Sequence, residues 1–314
     1  MRILQSCLIF VVILALSGCT PGGTGPAPRT PSASSDYIEN RGSDTLVNLA
    51  LAWAERYQEI RPNVRISVTG GGSGTGIAAL INGTVGLANA SRSISSEELA
   101  AARANNIEPV EFVVARDAIA IIVNPHNPVD RLTIQQISDI YSGKITNWTE
   151  VGGEDRPIVR LSRETNSGTH VYFLEEVLRQ GRDDDRTLFS TDTLLLPSSE
   201  GITAEVRDNP NAIGYEGLGY ITHDVKVLPV ARQEGGPEDE NYVLPSASSV
   251  NQGEYPIARD LYMYTAGQPE GVVKEYLDWI LSPEAQQIVD DIGFVPIVGS
   301  QAGPEKTAEP LALE

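Results

Sequence analysis

The sequence is poor in the side chains that hold disulfides and metals. Its 314 residues include two cysteines and three histidines. Cys7 and Cys19 both lie near the start, so the rest of the chain offers no disulfide framework. His126, His170 and His223 are scattered and have no cysteine or histidine close by in sequence, which argues against a zinc site. We therefore expect neither a bound metal nor a cofactor.

Positive charge is also scarce. The chain carries 23 lysines and arginines against 42 aspartates and glutamates, a formal net charge of −19. Proteins that grip the nucleic-acid backbone need a basic surface, so nucleic acid is excluded as a partner. The length suits about two domains, and a 41% hydrophobic composition is ordinary for a soluble globular protein.

Long apolar runs are missing apart from one near the N-terminus. The mostly apolar run at residues 3–16 is shorter than the about 20 residues that span a bilayer, and it suits a secretory signal. It ends in Leu16-Ser17-Gly18-Cys19, which resembles the bacterial lipobox. We expect residues 1–18 to be a lipoprotein signal peptide, Cys19 to carry lipid, and residues 19–36, rich in Pro, Gly, Ser and Thr, to be a flexible tether. The alternatives are a short membrane anchor and a signal cut elsewhere.

Beyond the tether, short apolar runs alternate with amphipathic stretches. This alternation predicts an α/β fold with crossover helices. The polar segment 301–314 is expected to be a tail, or alternatively a final docked segment. Predicted strands are 64–69, 111–124, 157–162, 225–230 and 261–265, and predicted helices are 46–59, 75–82, 97–104, 134–141, 170–179 and 272–289.

Three turns rich in Gly, Ser and Thr each lead into a predicted helix. They are Gly42-Ser43-Asp44-Thr45, residues 70–76 (Gly-Gly-Gly-Ser-Gly-Thr-Gly, with Ser73 at the centre) and Ser167-Gly168-Thr169. Helix N-termini offer unpaired N–H groups and partial positive charge, and glycine lets the backbone approach an anion. Converging, the three turns would hold a tetrahedral anion with neutral donors. Taken singly, each turn is equally explained by ordinary helix capping.

Two arginines could add full positive charge beside these turns. Arg163 ends a predicted strand four residues before Ser167, and Arg92 follows Ala90-Ser91. A guanidinium offers a planar fork that suits oxyanions. In so acidic a chain, either side chain could equally form a surface ion pair. The glycine-rich turn lacks the Gly-Lys-Ser/Thr ending of a nucleotide P-loop and the continuation of a dinucleotide site.

The order and spacing of several segments resemble the phosphate-binding lipoproteins of bacterial phosphate ABC importers. The segments are Gly42-Ser43-Asp44-Thr45-Leu46, Gly71-Gly72-Ser73-Gly74-Thr75-Gly76, Ala90-Ser91-Arg92, Ile140-Tyr141-Ser142-Gly143-Lys144-Ile145-Thr146-Asn147-Trp148, Arg163-Glu164-Thr165-Asn166-Ser167-Gly168-Thr169, Ala212-Ile213-Gly214-Tyr215, Ser282-Pro283-Glu284-Ala285-Gln286 and Gly293-Phe294-Val295-Pro296. The set runs along nearly the whole chain that follows the tether.

The resemblance implies an α/β, two-lobed periplasmic-binding-protein type 2 fold with two hinge crossings. One lobe would comprise residues 37–115 and 225–300, and the other residues 116–224. The ligand would lie in the cleft between them. Family members bind phosphate through residues that correspond here to Ser43, Thr45, Ser73, Arg163, Ser167, Gly168 and Thr169.

One position departs from the family pattern. Well-known members carry an aspartate after the serine of the Ala-Ser segment, and that carboxylate accepts a proton from phosphate while rejecting sulfate. Arg92 stands there in this sequence, so we expect Asp44 to take the acceptor's role. Arg92 would then contact the anion or pair with Asp44. The alternative role for Asp44 is an N-cap of the helix that follows it.

The resemblance favours a binding protein rather than an enzyme. It implies an exported, lipid-anchored, monomeric protein of the periplasm or of the outer face of the cytoplasmic membrane, whose partners are phosphate and the permease of an ABC importer. The first alternative is another oxyanion, namely sulfate, molybdate or tungstate; a further one is a phosphate sensor or adhesin without a transport role. A phosphate-ester hydrolase would need an activated nucleophile, for which His170 beside Ser167 is the one visible base.

Overall fold

A computed structural model describes residues 36–232 and 242–297. The predicted signal peptide, Cys19 and the tail 301–314 lie outside the described residues, as does all of the tether before Asp36. Among the helices described, none combines the length and the apolar character needed to cross a membrane.

Strands and helices alternate along the chain, as the sequence predicts. The strands are β1 (Asp36–Gly42), β2 (Val64–Thr69), β3 (Leu87–Ala90), β4 (Val110–Val123), β5 (Leu132–Thr133), β6 (Val159–Arg163), β7 (Leu194–Leu196), β8 (Ala212–Gly217), β9 (Lys226–Leu228), β10 (Val230–Ala231) and β11 (Ala258–Thr265). The helices are α1 (Val47–Ile60), α2 (Ser73–Ile81), α3 (Ser96–Ala104), α4 (Ile134–Tyr141), α5 (Gly168–Tyr172), α6 (Ser199–Asp208), α7 (Ala247–Asn251), α8 (Gly271–Ile280) and α9 (Pro283–Ile292).

The predicted single helix at residues 272–289 is wrong, because the chain forms two helices there. α8 ends at Ile280 and α9 begins at Pro283. Proline lacks the N–H that a continuing helix needs, and it is favoured in a helix's first turn. Ser282 caps the new helix, with its hydroxyl accepting from the Ala285 N–H at 3.4 Å. A π-helical turn, Phe173–Leu178, similarly follows α5 inside the predicted helix 170–179.

The long strand β4 runs through both halves of the protein. In the described residues the strand order is β2-β1-β3-β11-β4-β8-β6-β7, with β9 also paired to β4. β11 pairs with β4 as far as Ala118, and β8 pairs with it from Ile119 onward. Two sheet halves are therefore joined through one continuous strand, in keeping with the two-lobed fold.

Each half has its own apolar core. In the first half, Leu49, Trp53 and Tyr57 on one face of α1 pack with residues of β11 and α8. In the second, Tyr141, Trp148 and residues of β4 and β8 are buried together. Leu228 and Val230 belong to this second core, which favours a return crossing near Ala258 rather than Val225. The bounds of the lobes remain predictions.

Candidate functional site

Three serine hydroxyls meet at one edge of the first sheet half. Ser43 follows β1, Ser73 begins α2 and Ser91 follows β3. β1 pairs in parallel with β2 and β3, so the turns after all three strands gather at their carboxyl ends. Ser43 Oγ donates to Ser91 Oγ at 2.9 Å, and Ser73 Oγ lies 3.2 Å from Ser91 Oγ. All three side chains are buried, so the cluster concentrates hydroxyl groups where water is scarce.

The third turn, after β6, reaches this cluster from the other half. Thr169 Oγ1 lies 2.9 Å from Thr45 Oγ1. A Cβ atom on Gly168 would fall 2.3 Å from Ser73 Oγ and 2.6 Å from Ser91 Oγ. Only glycine fits so close to the hydroxyls. Because Gly168 has no side chain, its backbone atoms can approach the hydroxyls directly. The predicted convergence of the three turns is thus present in the structure.

Hydrogen bonds from the backbone and the side chain of Asn166 hold the same turns together. The N–H of Gly74 donates to the Asn166 carbonyl at 3.1 Å, and the Asn166 side-chain amide donates to the Gly71 carbonyl at 2.9 Å. Ser167 caps α5, with its Oγ accepting from the Thr169 N–H at 3.2 Å. A capping hydroxyl still has a proton to donate, so Ser167 keeps a donor that the cap does not use.

Asp44 is engaged through both carboxylate oxygens. Oδ1 accepts from the Gly71 N–H at 2.8 Å and Oδ2 accepts from Arg163 Nη2 at 2.8 Å. The N-cap positions here are Ser43, before the short 3₁₀ turn Asp44–Leu46, and Leu46, before α1; neither makes a side-chain capping hydrogen bond. The Asp44 carboxylate instead accepts from Gly71 and Arg163. The alternative role of Asp44 as an N-cap is therefore absent. Arg163 is 1% exposed and the Asp44 side chain is 21% exposed, so the arginine is buried and the carboxylate keeps partial access to solvent.

Arg92 is held away from the cluster. Its two terminal nitrogens donate to the two carboxylate oxygens of Glu98 at 2.7 Å each, and Nη1 also donates to the Ser93 carbonyl. Glu98 completes the capping box of α3 with Ser95. The structure therefore does not place Arg92 on Asp44, whose guanidinium partner is Arg163.

Sequence reasoning missed a second buried arginine at the site. Arg259 on β11 donates to Asp117 of β4 at 2.8 Å, to the Ser91 carbonyl at 3.0 Å and to Thr45 Oγ1 at 3.4 Å. Burial raises the pKa of Asp117, and the adjacent Arg259 opposes that shift. The available signal was the adjacent basic and acidic residues, Arg116-Asp117 and Arg259-Asp260, inside two strands that are otherwise mostly apolar. Ser91 was also missed, although it lies within a recognised segment.

His170 does not serve as a base for Ser167. Its Nδ1 lies 3.0 Å from Ser162 Oγ, and its ring stacks on Phe189 at 4.5 Å. Burial lowers the pKa of His170, which keeps the ring neutral at pH 7. The residues that the structure describes contain no group of three or more His, Cys, Asp or Glu side chains placed to hold a metal ion.

A cavity of about 680 Å³ opens beside the cluster. Its lining includes Glu97, Glu175, Glu176 and Asp260 as well as Arg92 and Arg259, and it includes none of the three clustered serines. So many carboxylates make it a poor host for an anion. The hydroxyl cluster, which offers neutral donors beside two buried arginines, suits an anion better.

Comparison with known proteins agrees with this geometry. Residues 27–284 match the PBP superfamily domain. The phosphate-binding protein PstS of Pseudomonas aeruginosa is 33% identical, covering 92% of this chain and 91% of its own length. PstS of Bacillus subtilis is 30% identical over 92% of this chain and 94% of its own.

A solved structure extends the likeness to three dimensions. A Clostridium perfringens protein, assigned as a phosphate ABC transporter substrate-binding protein and crystallised with bound phosphate, superposes with a TM-score of 0.73. It is 31% identical, and the match covers 83% of this chain and 100% of that one. The chain therefore belongs to the PBP superfamily and, within it, to the PstS family of phosphate-binding proteins.

Proposed function

We propose that this protein captures inorganic phosphate outside the cytoplasm and delivers it to an ABC importer. The observation that carries the proposal is the buried meeting of three hydroxyl-bearing turns from both halves. Relatives named phosphate-binding proteins and a structural neighbour with bound phosphate support it. The fold needs no chemistry for this task, so the protein acts as a binder and not as an enzyme.

The proposed ligand contacts are the predicted residues at the converged turns, together with Ser91. Hydroxyls and backbone N–H groups would replace the water around the anion, and Arg163 would supply a charge-assisted donor. The guanidinium of Arg163 already donates to Asp44, Ser199 and Pro197, which fixes its orientation before the anion arrives. The full set is Ser43, Thr45, Ser73, Ser91, Arg163, Ser167, Gly168 and Thr169. Arg92 is left out, because Glu98 occupies it.

Capture would couple to a hinge motion. Thr45 and Thr169 touch across the two halves, so an anion held by both would favour the conformation in which the halves meet. That conformation would dock on the permease. Lipid on Cys19 and the tether at 19–36 would keep a monomeric binding protein near the membrane. The lipobox-like sequence Leu16-Ser17-Gly18-Cys19 supports this part of the proposal.

Phosphate should stabilise the ligand-stripped protein more than any other oxyanion does. Ligand at about 100 times its dissociation constant adds about 2.7 kcal/mol to the free energy of unfolding. The measurement is thermal unfolding and calorimetry with phosphate, sulfate, molybdate and tungstate. If another oxyanion raises the melting temperature and phosphate leaves it unchanged, the assignment is overturned. Turnover of an aryl phosphate would instead indicate a hydrolase.

Asp44→Asn should weaken phosphate binding and let sulfate compete better. The asparagine can still accept from the Gly71 N–H, but it places no negative charge against Arg163. The variant loses the carboxylate that would accept the proton of phosphate, which weakens phosphate binding, and it no longer repels the fully ionised sulfate. Phosphate and sulfate titrations at equal ionic strength give the ratio of affinities.

Asp192→Asn is the matched control for Asp44→Asn. Asp192 pairs with Arg160 on the same strand β6, yet its side chain is 67% exposed and lies outside the hydroxyl cluster. The control should leave both affinities unchanged. An unchanged phosphate-to-sulfate ratio in Asp44→Asn would show that another group selects the anion.

A further inference from the structure

Glu216 is a buried carboxyl that receives no hydrogen bond. It lies on β8, paired in register with Ala120 of β4, and it is 0% exposed. Among the described residues, no donor meets either oxygen with hydrogen-bond geometry, and the Ser199 hydroxyl, which lowers the pKa of Glu216, accepts from Arg163 instead. Keeping an ionised carboxylate in such a place is costly unless a charge compensates it.

The nearest compensating charge is the arginine of the anion site. Arg163 Nη1 lies 3.8 Å from Glu216 Oε1, beyond hydrogen-bond distance. The same guanidinium donates to Asp44 Oδ2 at 2.8 Å and to Ser199 Oγ at 2.7 Å. Arg163 therefore stands between two carboxylates, one bonded to it and one not. Any change in the charge of Glu216 acts on the cation that would face the anion.

The surrounding charges leave little room for a further negative one. Arg163 and Arg259 pair with three carboxylates, Asp44, Glu216 and Asp117, so full ionisation of these five groups leaves an excess of one negative charge. An entering dianion would add two more. Burial raises the pKa of Glu216 to about 7, with Arg163, Ser199 and Arg259 lowering it and Asp117 raising it. Three tyrosines lie within the electrostatic influence of Glu216: Tyr141, Tyr215 and Tyr220. Burial raises the pKa of each phenol, so all three are neutral.

We infer that Glu216 is a positioning residue that takes up a proton when the anion binds beside Arg163. This inference rests on the proposed function. The proton passes from solvent to the carboxylate, and no covalent bond to the ligand forms or breaks. Neutral Glu216 no longer draws the guanidinium toward β8, so the full charge of Arg163 faces the anion. Capture of the anion and capture of a proton are then one linked event.

Linkage sets the direction of the pH dependence. A site that gains a proton on binding loses affinity as pH rises above the pKa of the free carboxyl, at up to about tenfold per pH unit. The phosphate affinity of the native protein should thus fall from pH 7 to pH 8 by more than that of Glu216→Gln, in which no proton can be taken up. Because a carboxyl with a pKa of about 7 is already half protonated at pH 7, the extra decrease should approach about fivefold.

The test is calorimetry with inorganic phosphate in two buffers of different ionisation enthalpy, at pH 6, 7 and 8. Phosphate exchanges its own protons, but equally with each protein, so the difference between proteins reports Glu216. The native protein should take up more protons per anion than Glu216→Gln, by up to about one. Glu200→Gln, the same change at an exposed position on α6, should behave like the native protein.

The outcomes separate this inference from the proposed function. Equal proton uptake by the native protein and Glu216→Gln overturns the role of Glu216 and leaves phosphate binding intact. No phosphate binding by the native protein overturns both. If Glu216→Gln does not fold, infrared difference spectra of the native protein decide the matter. A protonated-carboxyl band should grow on phosphate addition at pH 8, and its absence overturns the inference.

Discussion

Replacing Arg259 with alanine should lower the free energy of unfolding by about 3–5 kcal/mol. The reason is Asp117, which is 0% exposed and relies on Arg259 at 2.8 Å for its main charged partner. Removing one member of a buried ion pair leaves the other without compensation in a medium that solvates charge poorly. Urea unfolding of the ligand-free protein at neutral pH measures the loss.

Arg116→Ala is the matched control, because it lies next to Asp117 on β4 and pairs with Asp260, the neighbour of Arg259. That pair is exposed, with 47% of the arginine side chain and 39% of the aspartate accessible. Exposed pairs contribute about 0–1 kcal/mol, so the control should lose no more than that. Similar losses in both variants would mean that Asp117 is compensated by something other than Arg259.

Arg163→Ala should weaken phosphate binding by roughly 30- to 4000-fold, equivalent to about 2–5 kcal/mol. The variant loses the guanidinium that donates to Asp44. Two carboxylates, Asp44 and Glu216, are then left next to the anion without that positive charge. It should also lose stability, because Arg163 is buried. Calorimetry well below the melting temperature separates the two effects.

The control for Arg163→Ala is Arg160→Ala, on the same strand. Arg160 is 2% exposed and pairs with Asp192, so its loss should also destabilise the fold. It makes no contact with the hydroxyl cluster among the described residues, and phosphate affinity should be unchanged. If the two variants bind phosphate equally well, Arg163 lies outside the binding interaction.

The sequence revealed the parts of the site that are local. The turns at Ser43, Ser73 and Gly168 each show a strand, small residues and a helix start in a short stretch, and the structure brings all three together. The break between α8 and α9 was equally readable from Ser282-Pro283, and overlooking it merged two helices. Local signals of this kind need only the spacing of neighbouring residues.

The parts that sequence reasoning missed depend on pairings across long separations. Arg259 meets Asp117 over 142 positions, and no local pattern announces which buried charges will face each other. Arg92 shows how a local partner changes an expectation. Its position in the family pattern suggested an anion contact, whereas Glu98, six residues later, captures it. Ser95 and Glu98 have capping-box spacing, so that competitor was visible in the sequence.

The change of partners along β4 has a mechanical consequence. The ladder with β11 ends at Ala118 and the ladder with β8 begins at Ile119. Rotation about the φ and ψ angles of Ala118 and Ile119 would turn one half against the other. The Ile119 N–H, which donates to the Ile257 carbonyl at 2.8 Å, is the bond that lies at this point. A small rotation there is magnified along the lever arm to the turns. Flexibility is thus concentrated in this short segment, and each half of the protein moves as a rigid body.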